Sequence, residues 1–134
     1  MTTSAASSPA ADLLLTVAEP TRLRILNCLA AAPLFVSDLQ AILDLPQPTV
    51  SRHLQVLRRA ELVRDTPIAQ FVLYRLRREP GPPGRMLTAI LEVVRTDAMM
   101  RADRERAADR SRSHIRSRLQ APESRRLLRS KRLP

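Results

Sequence analysis

The sequence predicts a mainly α chain with one small β-hairpin. Three observations carry this. Apolar residues recur at i, i+3, i+4 and i+7 in short stretches from Asp12 onward, the spacing of helices with one buried side. The segment FVLYRL (71–76) alternates instead, as a half-buried strand does. Prolines and glycines fall between these stretches, and EPGPPGR (79–85) alone holds three of the eleven prolines and both glycines.

Taken in order, residues 1–10 (MTTSAASSPA) are small and polar and read as a disordered leader. Asp12 can cap a first helix carrying Leu13, Leu14, Leu15 and Val17. Pro20 stands where a second helix begins, with Leu23, Leu26, Leu29 and Ala30 on one side, and Pro33 ends it. Ser37 or Asp38 opens a third, in which Leu39, Ile42 and Leu43 form the stripe, and LDLPQP is a tight break. A fourth helix over 48–60 places Val50, Leu54 and Leu57 on one face. ELVRD is short and extended, TPIAQ is a five-residue loop, and FVLYRL completes a hairpin. The order of elements over 11–78 is the plan of a winged helix-turn-helix DNA-binding domain. Residues 79–85 are a Pro/Gly hinge, and 86–110 a C-terminal helix supported by i, i+3 and i, i+4 charge pairs after Glu92. Residues 111–134, biased to Arg and Ser, read as a disordered tail.

A body of this size has little core of its own, and an isolated hairpin is marginal in water. The stripe Leu87, Ile90, Leu91 and Val94, with Leu13, Leu14 and Val17 of the first helix, is most simply buried against a second copy. A two-fold homodimer through the first and last helices is therefore expected; the alternative is that the stripe folds back onto its own domain.

The 134 residues carry 23 Lys+Arg against 13 Asp+Glu, a formal net charge of +10, with a pI near 11.6. That balance points to nucleic acid or another anionic surface. Residues 1–94 hold 10 basic and 8 acidic residues, whereas 95–134 hold 13 and 5, so most of the excess lies in the last third. No apolar run reaches membrane-spanning length, and the first 12 residues lack the charge and apolar core of a signal peptide. The expected setting is intracellular, with no membrane partner. One cysteine and two histidines exclude a disulfide framework and a Cys-cluster zinc site. No nucleophile–base arrangement and no Gly-rich phosphate loop is present, so the chain reads as a non-enzyme without a cofactor.

The fourth helix carries the chemistry. With Val50, Leu54 and Leu57 inward, Arg52 and Arg59 point nearly opposite, beside Pro48, Gln55 and Val56, with Thr49 and Ser51 on the flanks. Small or polar residues at the first turn let the helix approach base edges, while Arg and Gln supply donors for guanine or adenine. Arg58 is placed to meet a phosphate.

EPTRLRILNCL, SDLQAILDLPQPTVSRHLQVLRRAELV and FVLYRL together resemble the ArsR/SmtB family of bacterial winged-helix repressors, over roughly residues 12–76. The resemblance implies a homodimer on a near-palindromic double-stranded operator, released by an inducer. By position it makes Gln47, Thr49, Ser51, Arg52 and His53 recognition-helix residues and places the wing around Pro67–Gln70 near the DNA backbone or minor groove. Asp44 and Pro46 replace the usual Gly and Ser cap before that helix, and Ala69 stands where the wing often has Gly. Metal-sensing members place a Cys-x-Cys pair at the start of the third helix, where this chain has Phe35 and Ser37. Other members use carboxylate and histidine ligands on the last helix, yet no histidine occurs between Met86 and Arg110. No metal ligand set is therefore expected, and the small-molecule effector is not identified. Cys28 is a possible redox group, but a small buried hydrophobe is the plainer reading. His114 lies in the tail and carries little weight. Two other readings fit the sequence: a non-specific nucleic-acid-binding or chromosome-organising protein anchored by its basic tail, and a protein-interaction module that no longer reads DNA.

Overall fold

A computed structural model describes residues 8–78 and 80–120 of the chain. Six helices and three strands follow one another: α1 (Pro9–Ala18), α2 (Pro20–Ala31), β1 (Leu34–Phe35), α3 (Val36–Leu43), α4 (Gln47–Arg59), β2 (Val63–Ile68), β3 (Phe71–Leu76), α5 (Pro82–Val94) and α6 (Ala98–Gln120). The architecture is the winged helix-turn-helix that the order of elements predicts, extended by two C-terminal helices.

Local chemistry accounts for most boundaries. Ser8 Oγ accepts a hydrogen bond from the Ala11 N–H at 3.0 Å with Pro9 at the first helical position, so α1 begins before Asp12 and takes in the end of the expected leader. The Glu19 carboxylate caps α2 by accepting from the Arg22 N–H at 2.8 Å, again with proline next in line. Asp38 does the same from inside α3, accepting from the Phe35 N–H at 2.8 Å. Asp44 ends α3 in the left-handed region at φ 55°, the conformation expected of the residue that replaces glycine there. Pro46 precedes α4 without a side-chain cap, and Gln47 and Pro48 enter the helix.

The sheet is antiparallel in the order β1-β3-β2, with Leu34 opposite Tyr74, and Val63 to Ile68 opposite Leu76 to Phe71. Here the hairpin departs from expectation. Thr66, Pro67 and Ile68 continue β2, so the connection is the two residues Ala69 and Gln70 rather than a five-residue loop. Ala69 makes this tight turn by adopting a positive φ of 55°. Pro67 is tolerated because β2 is an edge strand. The two-residue β1 has no counterpart in the sequence reading.

Ile25, Leu26, Leu34, Leu39, Val50, Leu54 and Leu57 are fully buried and form the centre of the core, joining α2, β1, α3 and α4. The stripes predicted for α3 and α4 are the buried ones.

The C-terminal third departs most. Residues 82–85 of the expected hinge are already α5, a break at 95–97 splits the expected single helix, and α6 continues through 111–120, the first part of the expected disordered tail. Residues 121–134 lie outside the described residues. The reason for α6 is tertiary. Its buried face, Met100, Asp103 and Ala107, packs on α2. Arg24 grips the Asp103 carboxylate with two bonds of 2.8 and 3.1 Å, while the buried Asn27 amide donates to the Met100 carbonyl at 2.9 Å. Burial of α6 polar groups is thus matched by partners on α2.

Candidate nucleic-acid interface

Helix α4 is fastened on one face and open on the other. Val50, Leu54 and Leu57 are sealed in the core, while Gln47, Pro48, Arg52, Arg58 and Arg59 are exposed and Thr49, Ser51, Gln55 and Val56 are partly so. At its N-terminal end the Gln47 amide donates to Ser51 Oγ at 2.6 Å, which orders the first turn. Arg52 and Arg59 meet no side-chain partner among the described residues, so their guanidinium donors face water. Arg58 is different: its Nε lies 3.3 Å from Asp65 Oδ1 on β2, which ties the end of α4 to the wing, and Gln55 lies 3.5 Å from the same guanidinium. Gln70 is exposed at the tip of the hairpin.

His53 does not join this face. Its side chain is only 19% exposed and turns toward the start of α2, with Nδ1 3.7 Å from Glu19 Oε2 and 3.5 Å from Arg22 Nη1. Arg22 is itself held by the Thr16 carbonyl at 2.8 Å. Partial burial would raise the Glu19 carboxyl, but hydrogen bonds from the Arg22 and Thr21 N–H groups, with the nearby His53 and Arg22 charges, outweigh it and hold Glu19 below the usual carboxylate range. His53 therefore sits where the start of α2 meets α4, turned toward Glu19 and Arg22.

An exposed Arg/Gln face on the second helix of a helix-turn-helix, flanked by a short hairpin, matches known proteins in sequence as well as shape. Residues 19–65 match the family model described as bacterial regulatory protein, arsR family. The chain is 37% identical over 83 residues to the biofilm growth-associated repressor of Agrobacterium fabrum, an alignment that covers 62% of this chain and 69% of that protein. The chain belongs to the ArsR family. Two solved structures agree: reduced HlyU from Vibrio cholerae, with TM-score 0.57 and 34% identity, and the transcriptional repressor BigR from Xylella fastidiosa, with TM-score 0.58 and 26% identity. Each alignment covers 66% of this chain and 86% of the other. Membership makes this a DNA-binding transcriptional regulator and not an enzyme.

Within this ArsR-family chain the positions of the remaining candidates are mixed. Cys28 is fully buried in the core, and burial first, then the Asp103 charge, pushes its thiol up to about 12. Phe35 and Ser37, at the positions of the cysteine pair in metal-sensing members, flank the start of α3, and among the described residues no three His, Cys, Asp or Glu side chains come together as a metal group. Of the residues expected at a dimer contact, Val17 and Leu87 are 2% and 5% exposed and lie in the protomer's own core. That removes them from any open face: α5 packs on α2, and Leu13 and Leu87 line the same cavity. Leu13, Ile90, Leu91 and Val94 are partly exposed, and Leu14 is half exposed.

His114, set aside in the sequence reading, is a structural residue. Its Nε2 lies 2.6 Å from Oδ1 of the fully buried Asp38, Arg110 Nε donates to the same oxygen at 2.7 Å, and its ring packs edge-on to Phe35. Nothing in the local pattern around either residue shows this, since they are 76 positions apart.

Proposed function

We propose that the chain is a homodimeric repressor that reads a near-palindromic DNA site through α4. The single observation that carries this reading is the open Arg52 face opposite the sealed Val50–Leu54–Leu57 face. A helix fixed rigidly on one side, with small residues at its first turns and an unpaired guanidinium beyond them, suits the major groove. Gln47, Pro48, Thr49, Ser51, Arg52 and Gln55 take the base-facing role, Arg59 and the wing tip at Gln70 the backbone role. Arg58 positions the wing through Asp65 before it meets any phosphate. The relatives named as repressors support repression, and the setting in which such a protein works is the bacterial cytoplasm, on the nucleoid.

The dimer reading rests on apolar surface that a monomer leaves wet. Leu14, Leu15 and Val93 are 50%, 70% and 72% exposed, on α1 and α5. With Leu13, Ile90, Leu91 and Val94 beside them they suit a two-fold contact. Phe35 and Ser37 in place of thiols support a regulator that responds to something other than a soft metal ion.

The test is selection of bound duplexes from a randomised library, followed by footprinting and sedimentation. A two-fold symmetric motif bound by two chains supports the proposal. Equal affinity for selected and random DNA, a monomer at micromolar concentration, or a dimer that Leu15→Asp and Val93→Asp leave intact, overturns it.

A further inference from the structure

We infer that the cleft between α2, α5 and α6 binds a small organic molecule bearing carboxylate or phosphate oxyanions. The cleft measures about 300 Å³, the lower end of the range for small-ligand sites. Arg78 from the segment after β3, Arg95 from the break between α5 and α6, and Arg104 from α6 all line it, with Glu92 as the one carboxylate. Three like charges brought together from three segments repel unless something between them is negative.

Glu92 is the one carboxylate lining the cleft, and among the described residues none of the three arginines is paired with it or with any other carboxylate. Arg78 reaches only the Ala30 carbonyl, at 3.4 Å, and Arg104 only the Asn27 Oδ1 and the Arg95 carbonyl, at 3.1 and 3.2 Å. The Arg95 guanidinium meets nothing among the described residues. Elsewhere the same helix behaves otherwise: Asp103 receives Arg24 and Asp38 receives Arg110, each a direct carboxylate pair. An arginine cluster with neutral acceptors alone is complementary to an incoming oxyanion, which two guanidinium forks can hold bidentately.

The floor is prepared as well. Asn27 is 1% exposed, and its amide is fixed by the Met100 carbonyl, so its oxygen holds the Arg104 head group in the cleft. Leu91 offers a partly buried apolar side for a short carbon skeleton, and Glu92 an acceptor for a ligand hydroxyl. A ligand here touches the winged body and both C-terminal helices at once. The site goes beyond the DNA-binding reading and is testable without DNA.

The experiment is calorimetric titration of the full chain with citrate, succinate and inorganic phosphate at matched ionic strength, against chloride. At least one is expected to bind with one site per chain. Arg78→Ala and Arg95→Ala, both at exposed residues, should each weaken it about tenfold or more, the loss of a charge-assisted hydrogen bond. Arg52→Ala, on α4, should leave it unchanged. Binding of citrate or succinate alone assigns a carboxylate ligand, and binding of phosphate alone a phosphorylated one. No saturable binding of any of the three, or binding that Arg78→Ala and Arg95→Ala leave intact, overturns the inference.

Discussion

Replacing Arg52 by alanine separates sequence reading from simple charge. The side chain is exposed and unpaired among the described residues, so its loss removes nothing from the core, and stability should change by no more than about 0.5 kcal/mol. A bidentate arginine–guanine contact is worth about 1–3 kcal/mol. A two-fold dimer makes it twice, so about 2–6 kcal/mol is at stake, equivalent to about 30-fold to 20,000-fold in Kd. Arg58→Ala removes the same formal charge from the same helix. Its guanidinium is already 3.3 Å from Asp65, an exposed pair worth about 0–1 kcal/mol, so any further loss should fall evenly on all DNA sequences. Fluorescence anisotropy with a selected duplex and a scrambled one, at two salt concentrations, reads both. Arg52→Ala should collapse the preference between the duplexes, whereas Arg58→Ala should preserve it. Equal loss on both duplexes for Arg52→Ala, or no loss in a folded protein, refutes base reading by this residue.

Three further outcomes follow from the geometry. With its thiol pushed up to about 12, Cys28 is about one part in ten thousand thiolate at pH 8, so a disulfide reagent should label it only after denaturation; rapid labelling of the native protein would reverse the buried-hydrophobe assignment. Glu19, held below its ordinary 4.5, contributes stability that is complete above that value and fades as pH falls through its lower folded value. Glu19→Gln should therefore cost about 0.3–1 kcal/mol in thermal melts at pH 7, with a difference that narrows as pH falls below the ordinary carboxylate range; a gap that persists undiminished in acid contradicts the charged cap. Arg24→Ala should destabilise more than Asp103→Ala, about 3–5 kcal/mol as an upper range, because it strands a carboxylate that is 2% exposed whereas the arginine, 24% exposed, keeps access to water. Denaturant unfolding of the two variants would show the order, and the reverse order would mean that the carboxylate finds another partner.

The helix-turn-helix was legible because its information is local. Val50, Leu54 and Leu57 lie at helical spacing between breaks, and burying them leaves Arg52 only one direction to point. Ser8 and Pro9 were an equally local start signal, one turn ahead of the Asp12 taken in their place. What was not legible depends on distant partners. Residues up to 110 read as a helix held by its own charge pairs, and 111–120 as part of a disordered tail, because Asp103 and Arg110 meet Arg24 and Asp38 only through pairings 79 and 72 positions long. His53 looks like a groove residue until Glu19 and Arg22 are placed beside it. The hairpin turn was hidden by Ala69, which takes a left-handed backbone without the glycine or asparagine that would have announced it. The arginine cleft is assembled from three separate segments, so no window of sequence contains it.

The clasp of α6 on α2 and α3 also bears on how the protein is made. Asp38, beyond its local bond from the Phe35 N–H, and Asn27 find Arg110 and the Met100 carbonyl only after chain well downstream of the recognition helix has been made. A growing polypeptide that already contains the whole recognition helix still has an open, unsatisfied flank. Its final packing waits for the C-terminal helix to emerge, so a prematurely terminated chain should be a poor competitor for DNA even though every base-facing residue is present.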